Sequence, residues 1–66
     1  PMLTLDAKVN VTCVDTDHMA HGTIVRIQGN RVDVALDQSG LLVSLHMKRA
    51  GLYVGSQSGL EFVMKI

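Results

Sequence analysis

The chain has 66 residues, six basic and six acidic, and a formal charge of zero. One domain of this length buries only about 60% of the surface its unfolded form exposes, so the core is small and partners often supply the rest. The even charge excludes the net basic surface that nucleic-acid binders use for phosphate contact, no apolar run approaches the roughly 18 residues of a membrane span, and a single cysteine excludes an internal disulfide.

Hydrophobic residues make up 47% of the chain, yet only Tyr53 and Phe62 are aromatic. Apolar content built from Val, Leu, Ile and Met favours a strand-rich core. A small sheet has little interior for it, so part of this surface is expected against another copy or a partner. A lone cysteine fits a reducing compartment, and a cytoplasmic location is the expectation. No signal peptide is evident at the N-terminus; Pro1 before Met2 reads as a tag remnant and is set aside from fold reasoning.

In chain order, residues 7–14 (AKVNVTCV) alternate Val9, Val11 and Cys13 against Lys8, Asn10 and Thr12, the period of a half-buried strand. Residues 15–19 (DTDHM) form a polar turn. A second strand is expected over 21–27 and a third over 31–36, joined at Gly29-Asn30 by a tight hairpin. Asp37 to Gly40 (DQSG) is a turn by composition. Over 41–47 (LLVSLHM), Leu41, Val43, Leu45 and Met47 point one way and Leu42, Ser44 and His46 the other. Helix competes for 41–50, but that segment has no good stop signal before Gly51. A loop covers 48–51, a short strand 52–54 and a flexible turn 55–59 (GSQSG). A last strand over 60–66 turns Leu60, Phe62, Met64 and Ile66 inward.

Six short strands at regular spacing with glycine-bearing turns describe an all-β domain. At this size a small antiparallel barrel is favoured, since closing the sheet removes its edges. The expected core is Val9, Val11, Cys13, Val25, Ile27, Val32, Val34, Leu36, Val43, Leu45, Leu60 and Phe62. Leu42, Leu52, Tyr53 and Val63 are the candidates for an outward apolar patch.

The residues that could carry chemistry are few. Asp15, Asp17, His18 and His21 lie close together just past Cys13, and His18 and His21 are weak candidates for a metal. The competing reading is a polar hairpin turn whose carboxylates cap backbone amides. Cys13, on an apolar strand face, reads as an inert buried thiol. His46 beside Ser44 has no orienting third group and no oxyanion site. Asp33 and Glu61 lack a partner carboxylate at a recognisable spacing. No catalytic residue is named, no cofactor is implied, and the expectation is a protein that is not an enzyme. Arg26 and Arg31 flank the Gly29-Asn30 hairpin, where two guanidiniums could grip a phosphate; the alternative is a solvated hairpin. Lys48-Arg49 form a second basic spot. Five of the six acids fall in residues 1–37, leaving the C-terminal part positive.

Val9 to Leu36, with V-x-V followed by G-T-I-V-R-I-x-G-N-R-V-x-V, resembles the opening hairpins of SH3-like barrels, including KOW-type modules. It also resembles the core of PilZ domains, and GLYVGSQSGLEFVMKI (51–66) resembles that family's closing strand pair. The PilZ resemblance implies a six-stranded bacterial barrel that either binds cyclic di-GMP or serves as a ligand-free adaptor. Its ligand motif is Arg-x-x-x-Arg followed by Asp/Asn-x-Ser-x-x-Gly. Here four residues, not three, separate Arg26 from Arg31, and Asp37-Gln38-Ser39-Gly40 matches Asp-x-Ser with its glycine too early. The resemblance therefore implies an adaptor working through a protein partner or as a homo-oligomer, with Arg26, Arg31, Asp37 and Ser39 as the positions where cyclic di-GMP would sit. The SH3-like resemblance implies a nucleic-acid-associated module, which neutral charge and few aromatics serve poorly.

Overall fold

The apolar–polar alternation folds into six antiparallel strands: β1 (Lys8–Cys13), β2 (His18–Gln28), β3 (Arg31–Leu36), β4 (Leu42–Arg49), β5 (Leu52–Gln57) and β6 (Leu60–Lys65). They are seen in a computed structural model that describes residues 3–66, so the reading of Pro1 as a tag remnant lies outside the described residues. Each strand pairs with the next in the chain, and β1 returns to pair with β6, closing a small barrel. The expected six-stranded all-β barrel is what forms, with no helix among the described residues. The segment where helix competed is β4, whose alternating Val43 and Leu45 are fully buried. Closure gives every strand two neighbours, which removes the exposed edges a sheet this small would otherwise present. The closing seam is short: Thr12 faces Val63, Cys13 faces Phe62, and the Val14 amide donates to the Glu61 carbonyl at 2.8 Å.

Residues opposite each other in an antiparallel pair share a face, so the register shows what fills the barrel. One inner row runs Ile24–Val34–Val43 and another Ile27–Val32–Leu45. A third runs Met47–Tyr53–Met64. The buried core is Val11, Cys13, Ile24, Val32, Val34, Leu36, Val43, Leu45, Phe62 and Met64, with Val9, Tyr53 and Leu60 packed against it.

Of the expected core, Val9 and Leu60 are only partly buried at its edge, and two residues lie outside it altogether. Val25 is 47% exposed and Ile27 38%, while Ile24 is fully buried. The cause is a β-bulge: Ile24 faces Val34 but Arg26 faces Asp33, so Val25 is an extra residue with no partner. The bulge shifts the alternation by one position, as an inserted residue must when the side-chain period is two. Ile27 does share a face with Val32 and Leu45, but at the barrel's rim.

Three connections also differ from expectation: β4 continues through Lys48 and Arg49, where a loop was expected, and two turns are shorter. β2 begins at His18, inside the expected polar turn. The GSQSG segment is mostly strand: β5 runs to Gln57, opposite Leu60, and only Ser58-Gly59 turn. Both carry positive φ, 55° and 77°, which is the requirement of a two-residue type I′ hairpin.

Candidate functional site

Because neighbouring strands are antiparallel, the ends of β2, β4 and β6 share one rim with the starts of β1, β3 and β5, and Asp6, whose amide donates to the Ile24 carbonyl at 2.7 Å, stands at this end too. Four of the chain's six basic residues, Arg26, Arg31, Lys48 and Arg49, gather there, while Lys65 lines a side groove with Asn10, Thr12 and Asp17. Arg26 faces Asp33 and Arg31 faces His46 on the outer surface. Arg49 faces Leu52, which in turn faces Lys65; Lys48 sits in the register shift between Met47 and Arg49. At this rim the inner face of the barrel runs out into solvent. Ile27 continues the row of Val32 and Leu45, and Met47, also 38% exposed, continues the row of Tyr53 and Met64. The result is an apolar mouth flanked by cations, the arrangement of a contact surface with an apolar centre and a polar rim.

One of these cations is already engaged. Asp33 lies on the outer surface yet is only 4% exposed. It accepts a hydrogen bond from the Ser44 hydroxyl at 2.7 Å and one from Arg31 Nε at 3.2 Å, while Arg31 Nη2 also donates to Ser44 Oγ at 3.3 Å. Chiefly the Ser44 hydrogen bond, then Arg31 and the more distant charge of Arg26, hold the Asp33 carboxyl below its ordinary value, against the opposing effect of burial. Arg26 is tied only to Gln28 Oε1, at 2.9 Å, leaving it largely in solvent.

A carboxylate whose folded pKa is depressed adds stability above its unfolded value, about 3.9, and that stability is lost as pH falls through the lower folded value. Asp33→Ala is expected to cost about 1–3 kcal/mol at neutral pH, with the difference from wild type narrowing below about pH 4. Denaturant unfolding at pH 7 and at steps down to about pH 3 measures this; a difference that stays constant with pH contradicts it.

The opposite rim is acidic. It carries Asp15 and Asp17 on the β1–β2 turn, Asp37 after β3, and Glu61 early in β6. Asp15 Oδ2 accepts the Glu61 amide at 2.7 Å, joining the first and last turns. Asp37 accepts from Thr23 Oγ1 at 2.8 Å, and Lys8 Nζ lies 3.4 Å away. The Thr23 hydrogen bond first, then Lys8, holds the Asp37 carboxyl low although desolvation opposes them. Beside it a surface groove of about 500 Å³ is lined by Met19, His21, Leu36, Asp37, Gln38 and Ser39, among others. His21 Nδ1 is 2.7 Å from Asn10 Oδ1.

The candidates from sequence are thus divided. Arg26 and Arg31 meet around Asp33, whereas Asp37 and Ser39 lie past the far end of β3. Ser39 Oγ accepts the Leu41 amide at 3.1 Å. These four do not form one pocket. His18 and His21 stand three apart on one continuous strand and so face opposite sides of the sheet. The described residues contain no group of three or more His, Cys, Asp or Glu placed to hold a metal. Cys13 is a buried free thiol. Ser44 donates to Asp33 rather than to His46.

The four apolar patch candidates do not lie together either. Tyr53 packs against the core. Leu52 and Val63 are on the outer face of β5 and β6, beside Lys65 and Val54. Leu42 is across the barrel, opposite Ala35. Ile27 and Met47, both expected to point inward, are instead 38% exposed at the basic end. Their signal was positional: each is the last inward residue before a strand end, next to basic residues.

No helix among the described residues is long and apolar enough to cross a membrane. Comparison with protein-family models, curated proteins and solved structures finds no match to this chain.

Proposed function

We propose that this is a non-catalytic adaptor barrel, PilZ-like in kind and working in the cytoplasm, that binds an acidic protein surface through its basic mouth. One observation carries the reading: exposed Ile27 and Met47 lie at the strand ends that also carry Arg26, Arg31, Lys48 and Arg49. Apolar side chains flanked by like charges are suited to a partner that offers apolar anchors and the opposite charge.

The nucleic-acid-associated module is the second reading, favoured by the same four cations. Against it, Phe62 is buried and Tyr53 packs on the core, so no exposed aromatic ring is free to stack a base.

The test is a titration with a fluorescent peptide alternating Glu and Leu, followed by anisotropy, with cyclic di-GMP and a short DNA duplex as separate probes. Saturable peptide binding that weakens at least tenfold, about 1.4 kcal/mol, in both Met47→Glu and Lys48→Glu/Arg49→Glu supports the adaptor. DNA binding that depends on Lys48 and Arg49 but not on Met47 favours the nucleic-acid module. Cyclic di-GMP binding that is lost with Arg26→Ala or Arg31→Ala makes the barrel a nucleotide sensor instead.

A further inference from the structure

We infer that the basic mouth receives a second copy of this chain, seated by its acidic rim. This rests on the reading of the mouth as a contact surface and names its occupant. The first support is charge. The formal charge is zero, yet it is unevenly placed along the barrel, with Arg26, Lys48 and Arg49 at one rim and Asp15, Asp17 and Glu61 at the other; of the remaining charges, Asp6 lies by Ile24 at the basic end and Lys65 shares a side groove with Asp17. Among the described residues these side chains have no ion-pair partner within 4 Å; the two ion pairs present join Lys8 to Asp37 and Arg31 to Asp33. Shifting one copy along the barrel axis lays acid over base, and the same shift can be repeated.

The second support is apolar surface. Met47 and Ile27 are exposed at the basic rim, and Val14 and Leu42 at the acidic one, 50% and 48% exposed. Each rim therefore pairs a charge sign with uncovered apolar side chains, and the two signs are opposite. A polyanion such as DNA would satisfy the basic rim but leave the apolar residues of both rims in water.

The contact joins two different surfaces, so it is heterologous and adds copies head to tail unless the rotation closes a ring. It is also small. A stable interface covers roughly 800 Å² per partner, nearly a fifth of the 4367 Å² this chain exposes, and the barrel measures only 27 × 23 × 17 Å. Each step is weak, and assembly grows with concentration.

Sedimentation and light scattering over a concentration series test this. At about 0.1 M salt the weight-average mass rises from 7.2 kDa towards multiples of it. At about 1 M salt, where the screening length shrinks from ~10 to ~3 Å, it returns towards one chain. Lys48→Glu/Arg49→Glu and Glu61→Lys/Asp17→Asn each remain at the mass of one chain when alone. Mixing the two restores association, because each supplies the rim the other needs. Either variant added to the wild type shortens the assemblies by capping one end.

A wild-type mass that stays at 7.2 kDa at every concentration overturns the inference. If the acidic peptide still binds at the mouth in that case, the contact reading stands and only the identity of the partner fails. Association that survives both charge reversals overturns it too, and so does a mixture that stays dissociated.

Discussion

Ile24→Ala is expected to unfold much of this protein, while Val25→Ala next to it leaves stability nearly unchanged. Removing a buried isoleucine costs about 2–5 kcal/mol. A domain of 66 residues, at roughly 0.05–0.15 kcal/mol per residue, has only about 3–10 kcal/mol in total. Ile24 is fully buried in the row with Val34 and Val43, and the barrel holds few such rows to compensate. Val25 is the unpaired bulge residue, half in solvent, and its truncation should stay within about 0.5 kcal/mol. Urea unfolding of the two variants reads the contrast directly. Equal losses would mean that the alternation of β2 runs unbroken through Arg26, with Val25 inside.

Gly55→Ala is expected to be nearly as damaging, for a reason that has nothing to do with turns. Gly55 faces Phe62 on the inner surface, and an added Cβ there would collide with the Ser44 carbonyl oxygen and lie 3.2 Å from Leu45 Cδ2. The obstacle is backbone in β4 and cannot rotate away. Overpacking of this kind costs typically about 1–3 kcal/mol and more where nothing yields. Gly59→Ala is the control. Its Cβ would meet nothing within 4 Å, but its φ is +77°, so the cost is conformational, about 1–2 kcal/mol. Thermal melts of the two variants should rank Gly55→Ala below Gly59→Ala; the reverse order would place the close approach elsewhere.

These two positions show what the residue pattern conveyed and where it stopped. Period-two alternation located all six strands, because a barrel this thin has one wet and one dry face and each residue must choose. It failed at Val25, since a bulge is specified by pairing across strands and leaves no mark in one strand's own pattern. It failed at GSQSG because small polar residues look the same whether they make a turn or, as at Gly55, allow one backbone to pass close to another.

The candidate site was less legible still. Arg26, Arg31, Lys48 and Arg49 span 24 residues of sequence, and only strand order brings them to one rim. Met47 and Ile27 carry the apolar part of that surface by virtue of their height in the barrel, which periodicity does not encode. Arg26 and Arg31 do converge, as their flanking of the hairpin suggested, but on Asp33. Asp37 and Ser39 belong to the other rim.

The most direct test of the basic mouth as a contact surface is a map of backbone amide shifts for the isotopically labelled protein titrated with the Glu–Leu peptide. Peptide seated at the basic mouth gives the largest shifts at Arg26–Ile27, Arg31 and Met47–Arg49, saturating together and collapsing in high salt. Shifts centred on the groove of His21, Asp37 and Ser39, or on the outer faces of β5 and β6, would contradict it.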